Sequence, residues 1–239
     1  MLPLSDGIRA RRLPLVTAAI IAANLAVWLL YELPNPDASM AHASFYPCSV
    51  TGSCRAPEPW VVSWFTAMFL HASWSHLLGN MWFLAIFGKN VEDAFGRLRY
   101  LGLYIAGGFA ANAAQTVMTL LAGTAADARV PVLGASGAIA AVLGAYFVLY
   151  PESRVLTLVV VFPVRVRAWI YLGLWFLYQL YEAHFALFAA DGQGGGTAFF
   201  AHVGGFVFGV AAARSLVRAR RRRDRRALET RLPRFARGL

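Results

Sequence analysis

The sequence predicts an all-α polytopic membrane protein, a bundle of six transmembrane helices with both termini cytoplasmic. Three observations carry that prediction. The chain is 59% hydrophobic and 14% charged, with a mean hydropathy of +0.54, whereas a soluble domain carries about a quarter charged residues. Its apolar residues fall into six runs that approach the roughly 20 residues needed to cross a bilayer. Its basic residues fall in alternate loops, as membrane topology demands.

The runs are read in order as 15–30, 75–88, 100–121, 136–150, 168–181 with room to extend, and 199–217. The second and fourth are short, so they end below the membrane surface. The first follows Arg9, Arg11 and Arg12 but precedes no small-residue cleavage site, so it is a retained span rather than a signal peptide. With the N-terminus inside, every basic side chain of the 22 except Arg55 and Arg129 lies on the inner side. Five or seven spans would put one arginine-rich terminus outside, against that rule. The organisation is then a cytoplasmic segment 1–13, a membrane domain 14–217 with a long outer loop 32–74, and an arginine-rich cytoplasmic tail 218–239. The net charge of +10 suggests nucleic acid at first sight. Its distribution instead places the tail arginines on anionic lipid headgroups of the inner leaflet.

This topology sets which helix ends share a side. The second, fourth and sixth spans all enter from outside. His76 and Asn80 lie in the first turns of the second, Ser136 begins the fourth, and His202 lies in the first turn of the sixth. Four polar side chains therefore meet one depth near the outer face. A serine hydroxyl is a weak nucleophile until a base takes its proton, and neutral histidine is the usual base. Ser136 at a helix start has unpaired backbone N–H groups beside it, which suit a developing oxyanion. Asn80 and His76, four apart on one helix face, can add donors. No Asp or Glu is expected at this depth, so the arrangement reads as a dyad. Gly134 and Gly137 leave room for close approach. Gly205 and Gly209, four apart, suit close packing of the sixth span on the fourth with its Gly137, Ala141 and Gly144. Taken singly, each motif reads more simply as helix packing or as a hydrogen-bonded membrane histidine. Their conjunction at one depth favours chemistry.

These residues resemble the rhomboid family of intramembrane serine proteases. The likeness rests on His76-Leu77-Leu78-Gly79-Asn80, on Gly134-Ala135-Ser136-Gly137, and on His202 with Gly205 and Gly209. It implies a serine endopeptidase with Ser136 as nucleophile and His202 as general base. Asn80, His76 and the Ser136 backbone N–H would form the oxyanion hole. It implies single-span transmembrane proteins as substrates, membrane lipids as partners, no metal or other cofactor, no nucleic acid, and a multi-pass protein of a bacterial plasma membrane. His71 falls where the family often has a histidine; a hydrogen bond tying loop to membrane domain is the simpler role. Two departures stand out. The stretch Trp60-Val61-Val62-Ser63-Trp64 lacks the arginine of the family's Trp-Arg pair, which predicts altered loop packing. Ala140 stands where the family often has an aromatic ring stacked on the catalytic histidine.

The outer loop mixes five prolines with aromatic residues such as Phe45, Tyr46 and Trp64, which predicts a compact structure at the membrane interface. Cys48 and Cys54 are the chain's only cysteines; they are either a disulfide or two free thiols, and a zinc site would need more ligands. The apolar stretch 156–162 is a buried inner loop or the start of the fifth span. Trp169, Trp175, Phe176 and Tyr178 on that span pack the core or face lipid, while the resemblance suggests a lateral substrate gate. The glycine-rich stretch 191–196 is expected to be mobile. Two rival functions stand beside the protease. One is a catalytically inactive rhomboid-like protein that binds membrane clients, which loss of Ser136 or His202 would have favoured. The other is a small transporter, which would show paired midplane charges or repeated halves, and the sequence has neither.

Overall fold

The computed structural model describes residues 2–188 and 198–231, with side chains placed through 185 and from 198 to 222. The stretch 191–196 and the tail beyond 231 lie outside the described residues. The chain is mostly helical: α1 (Leu15–Val27), α2 (Pro36–Ala43), α3 (Trp60–Thr66), α4 (Trp74–Phe83), α5 (Lys89–Phe95), α6 (Arg97–Ala122), α7 (Ser136–Leu149), α8 (Ala168–Phe188) and α9 (Phe199–Arg231). A π-helical turn, Trp28–Glu32, extends α1, and another, Leu84–Gly88, joins α4 to α5. Among the described residues, three stretches, Leu15–Glu32, Arg97–Ala122 and Phe199–Arg222, are long and apolar enough to cross a membrane.

The core is α7, held between α6 and α9. Every residue from Gly137 to Tyr146 is buried, because the side chains facing its neighbours are nearly all Gly or Ala. In lipid the hydrophobic effect does not separate helix from helix, so close backbone contact supplies the attraction. Gly205 faces the Gly137 carbonyl, Gly209 faces that of Ala141, and Gly144 faces that of Phe206, each too close for a Cβ. Gly209→Ala should therefore push α9 off α7 at an overpacking cost of about 1–3 kcal/mol. Its melting temperature should fall, and any activity that needs α9 beside α7 should fall with it. Thermal denaturation of the purified variant checks this.

The all-helical expectation needs one correction. Three strands, β1 (Leu2–Ser5), β2 (Arg154–Val159) and β3 (Phe162–Arg167), form an antiparallel sheet in the order β1-β2-β3. The stretch 156–162 is thus neither a buried loop nor the start of a helix. Val155, Thr157 and Val159 supply β-branched residues at alternate positions, with Val155 and Thr157 buried. Val160 turns the hairpin at φ 58.

At the same end of the bundle Asp6 is fully buried. It pairs with Lys89 at 3.1 Å, accepts from the Tyr146 hydroxyl at 3.1 Å and accepts from the Asn90 amide. Glu92 caps the start of α1 by accepting from the backbone N–H groups of Val16 at 3.0 Å and Thr17 at 2.8 Å, where the helix dipole favours a negative charge. The first residues of the chain are thereby fastened under the bundle.

The segment between α1 and α4 is compact. Cys48 and Cys54 form a disulfide with Cα atoms 5.4 Å apart. Trp64 meets Phe45 and Phe109 at ring-centroid distances of 5.7 Å and Trp60 at 4.9 Å, and its carbonyl accepts from the Asn112 amide of α6 at 3.0 Å. Aromatic packing holds this loop where the Trp-Arg pair is missing. An isolated β-bridge between Phe45 and Val132 ties it to the segment that leads into α7.

Candidate active site

Chain geometry brings Ser136 to the end of the bundle opposite the sheet. Gly134 adopts φ 121, a conformation that residues with a Cβ rarely take, and its N–H donates to the Ala67 carbonyl at 2.8 Å. This anchored bend delivers Ser136 as the first residue of α7. At that position its N–H has no carbonyl one turn back, so it is free for another acceptor. Ser136 is half-buried and so reachable from outside. His202 arrives from the first turn of α9, whose start is steadied by the Gln115 side chain accepting from the Ala201 N–H at 3.2 Å.

His202 Nε2 and Ser136 Oγ lie 2.7 Å apart. The two residues are 66 positions apart in the chain, and it is the small-residue packing of α9 on α7 that brings them into hydrogen-bonding range. His202 is 8% exposed, and its Nδ1 has no hydrogen-bond partner among the described residues. The pair is a serine hydroxyl and an imidazole, with no carboxylate bonded to the far ring nitrogen among the described residues. Its ring lies 6.0 Å from that of Trp175, tilted by 35°, and 6.5 Å from Phe199, edge-on at 89°.

The two candidate donors on α4 are placed differently. The His76 ring packs against Gly134: a Cβ there would lie 2.9 Å from its Cε1 and 3.0 Å from its Nε2, and 3.5 Å from Ser136 Oγ. Glycine at 134 therefore admits both the bend and the imidazole. Asn80 is buried, and its amide nitrogen has no hydrogen-bond partner among the described residues. A buried amide left unpaired costs about 1–3 kcal/mol, so a group that could accept from it only during a reaction would relieve that cost. Neither His76 nor Asn80 bonds Ser136 directly among the described contacts.

Two details differ from the sequence reading. His71 is buried, but its tie to the membrane domain runs through its backbone N–H, which donates to Glu32 Oε1 at 2.7 Å. Its ring sits edge-on to His76 at 5.1 Å. A carboxylate thus does reach this layer, since the π-helical turn at the end of α1 carries Glu32 inward to 2% exposure. The signal available for Glu32 was a lone acid at the end of an apolar run. Trp175 was noticed only as one of several aromatics on its helix; nothing local marks it as a neighbour of His202. Among the described residues, no group of three or more His, Cys, Asp or Glu side chains is placed to hold a metal ion.

A helical membrane bundle with a serine and a histidine at one mouth defines a class, and comparison with known proteins names it. The family model described as Rhomboid domain matches residues 58–219. The chain belongs to the rhomboid family and is an integral membrane protein. It is 32% identical over 213 residues to the mitochondrial presenilin-associated rhomboid-like protein of Homo sapiens, covering 87% of this chain and 48% of that one. The Mus musculus protein of the same name is 30% identical over 212 residues, with the same coverage of 87% and 48%. Rhomboid protein 1, mitochondrial, of Saccharomyces cerevisiae is 29% identical over 152 residues, 64% of this chain and 41% of that one. The chain spans about half the length of these curated relatives. Their mitochondrial names conflict with the expectation of a bacterial plasma membrane and leave membrane insertion untouched.

Proposed function

We propose that this chain is an intramembrane serine endopeptidase that cleaves single-span transmembrane proteins near the outer face of the membrane. The observation that carries the reading is the 2.7 Å approach of His202 Nε2 to Ser136 Oγ. In this reading six helices cross the bilayer, residues 14–217 form the membrane domain, and both termini lie on the arginine-rich inner side. The distribution of basic residues supports that orientation.

The mechanism follows from the atoms present. His202 Nε2 accepts the Ser136 hydroxyl proton as Oγ attacks the scissile carbonyl carbon. The carbonyl π bond opens and its electrons move to oxygen. The Ser136 N–H at the positive end of α7, the Asn80 amide and the His76 imidazole face the developing oxyanion. The tetrahedral intermediate collapses, and the imidazolium gives its proton to the departing amine. Water, deprotonated in turn by His202, attacks the acyl carbon; the bond to Ser136 Oγ breaks, the imidazolium returns its proton to Oγ, and the new carboxylic acid leaves and ionises. The buried setting strengthens each of these electrostatic contacts.

A panel of single-span proteins incubated with purified enzyme in lipid, beside Ser136→Ala, tests the proposal. Cleavage by the wild type alone supports it. A Ser136→Ala enzyme that cleaves equally well refutes it, and binding without cleavage by the wild type supports the client-binding alternative.

Asn80 offers a sharper test of the oxyanion hole. Asn80→Ala should lower turnover with little change in substrate binding, because the bond forms chiefly in the transition state. One lost donor costs on the order of 10²- to 10³-fold; His76 and the Ser136 N–H remain, so the expected loss is at the lower end or below. If Asn80 only packs its helix, the variant melts earlier and turns over normally. Turnover and melting temperature measured on one preparation separate the two.

A further inference from the structure

We propose that Trp175 is a positioning residue for His202, holding the imidazole in its reactive rotation from a helix other than the one that carries it. This rests on the reading of Ser136 and His202 as the catalytic pair. The argument starts from the unpaired nitrogen. Where a third acidic residue bonds the Nδ1–H, that bond sets both the tautomer and the ring angle. Here Nδ1 has no partner among the described residues, so no hydrogen bond behind the ring stops it from turning away from Ser136. Ring packing must do that work.

Among the described residues, two rings contact His202. Phe199 sits one turn earlier on the same helix, edge-on at 6.5 Å, and moves wherever His202 moves. Trp175 comes from α8 and lies 6.0 Å away at 35°. The indole is itself braced by Phe206, at 6.0 Å and 40°, and Phe206 stacks on Phe176 at 4.6 Å and 24°. His202 and Phe206 are four apart, so they share one face of α9. Trp175 closes that face like a plate across both. On α7, Ala140 is a fully buried methyl group next to Gly205, and neither described ring beside His202 comes from α7.

The placement serves the chemistry as well as the geometry. When Nε2 takes the serine proton the ring becomes a cation beside an indole. Tryptophan is the best aromatic partner for a cation within about 6 Å, and the gain appears only once the charge has formed. α8 presents Leu174, Leu177, Tyr178 and Tyr181 outward, and its inner face meets α9 through Trp175 and Phe176.

The test uses purified full-length protein in lipid, a cleavable single-span substrate, and a small serine-reactive fluorophosphonate that needs the pair but not a bound polypeptide. Trp175→Leu keeps apolar volume and removes the π face. It should melt within a few degrees of wild type, lower kcat about 3- to 30-fold, leave KM within about twofold, and slow fluorophosphonate labelling by a similar factor. Trp175→Phe should recover most of both rates. If Trp175→Leu labels as fast as wild type while KM changes, Trp175 serves only substrate entry and the proposal fails. If wild type itself is not labelled, the catalytic reading fails and this one falls with it. A labelled wild type with an equally labelled Trp175→Leu overturns this proposal alone.

Discussion

Ser136→Ala should give a folded protein with no measurable hydrolysis. Among the described residues, the side-chain bond that Ser136 makes is to His202, and the serine is half-buried at the first position of α7. Alanine there is no worse a helix former and keeps the backbone N–H groups in place. Melting should therefore move by no more than a few degrees. Turnover should fall on the order of 10⁴- to 10⁶-fold, the range seen when an acting nucleophile is removed and only the oxyanion donors remain. Fluorophosphonate labelling should vanish in parallel. Equal cleavage by the purified variant would refute the nucleophile assignment.

His202→Ala should be nearly as damaging, and Ser136→Ala with His202→Ala hardly worse than either alone. Without the base the hydroxyl keeps its proton, so the serine contributes almost nothing on its own. Residues that act as one unit lose their effect once. The structural side differs between them. His202 is 8% exposed between Trp175 and Phe199, so its removal opens space in the bundle and should cost about 0.5–3 kcal/mol of stability. Turnover of the two single variants and the double variant, measured at a temperature where all are folded, decides the matter. Losses that multiply would mean that His202 acts independently of Ser136.

Much of the bundle was legible in the chain because membrane-length apolar runs are a local signal. Each of the six runs overlaps a helix, down to Ser136 as the first residue of α7. The run 75–88 falls within helical chain that continues, through a π-turn, from Trp74 to Phe95. By length and apolarity alone, however, three stretches qualify as spans; α7 is too short at 14 residues. The residues of the candidate site were visible for a related reason. Small residues around a serine, and a histidine three residues ahead of a glycine pattern, are short motifs read along one segment.

What stayed hidden was contact between distant segments. The Asn90 amide reaches Asp6 across 84 positions, and the Thr157 hydroxyl donates to the Leu2 carbonyl across 155. Neither pairing leaves a periodic trace. The stretch 156–162 read as helix or loop because a short apolar run cannot be told from a helix segment by periodicity alone, and a strand forms only where partner strands supply the hydrogen bonds. The two cysteines left disulfide and thiol open, since spacing alone does not set Cβ directions.

The sequence by itself determined the class of protein, the positions of its long helices and the residue types available at one end of them. These follow from hydropathy and backbone preference, which act over a few turns of chain. Only the tertiary structure decided that Nε2 of His202 meets Oγ of Ser136 while Nδ1 has no partner among the described residues, that Glu32 turns inward to His71, and that the described ring from another helix beside the histidine comes from α8. The serine–histidine contact depends on how closely α9 can approach α7, and the contacts of Gly137, Gly144, Gly205 and Gly209 set that distance only once both helices are in place.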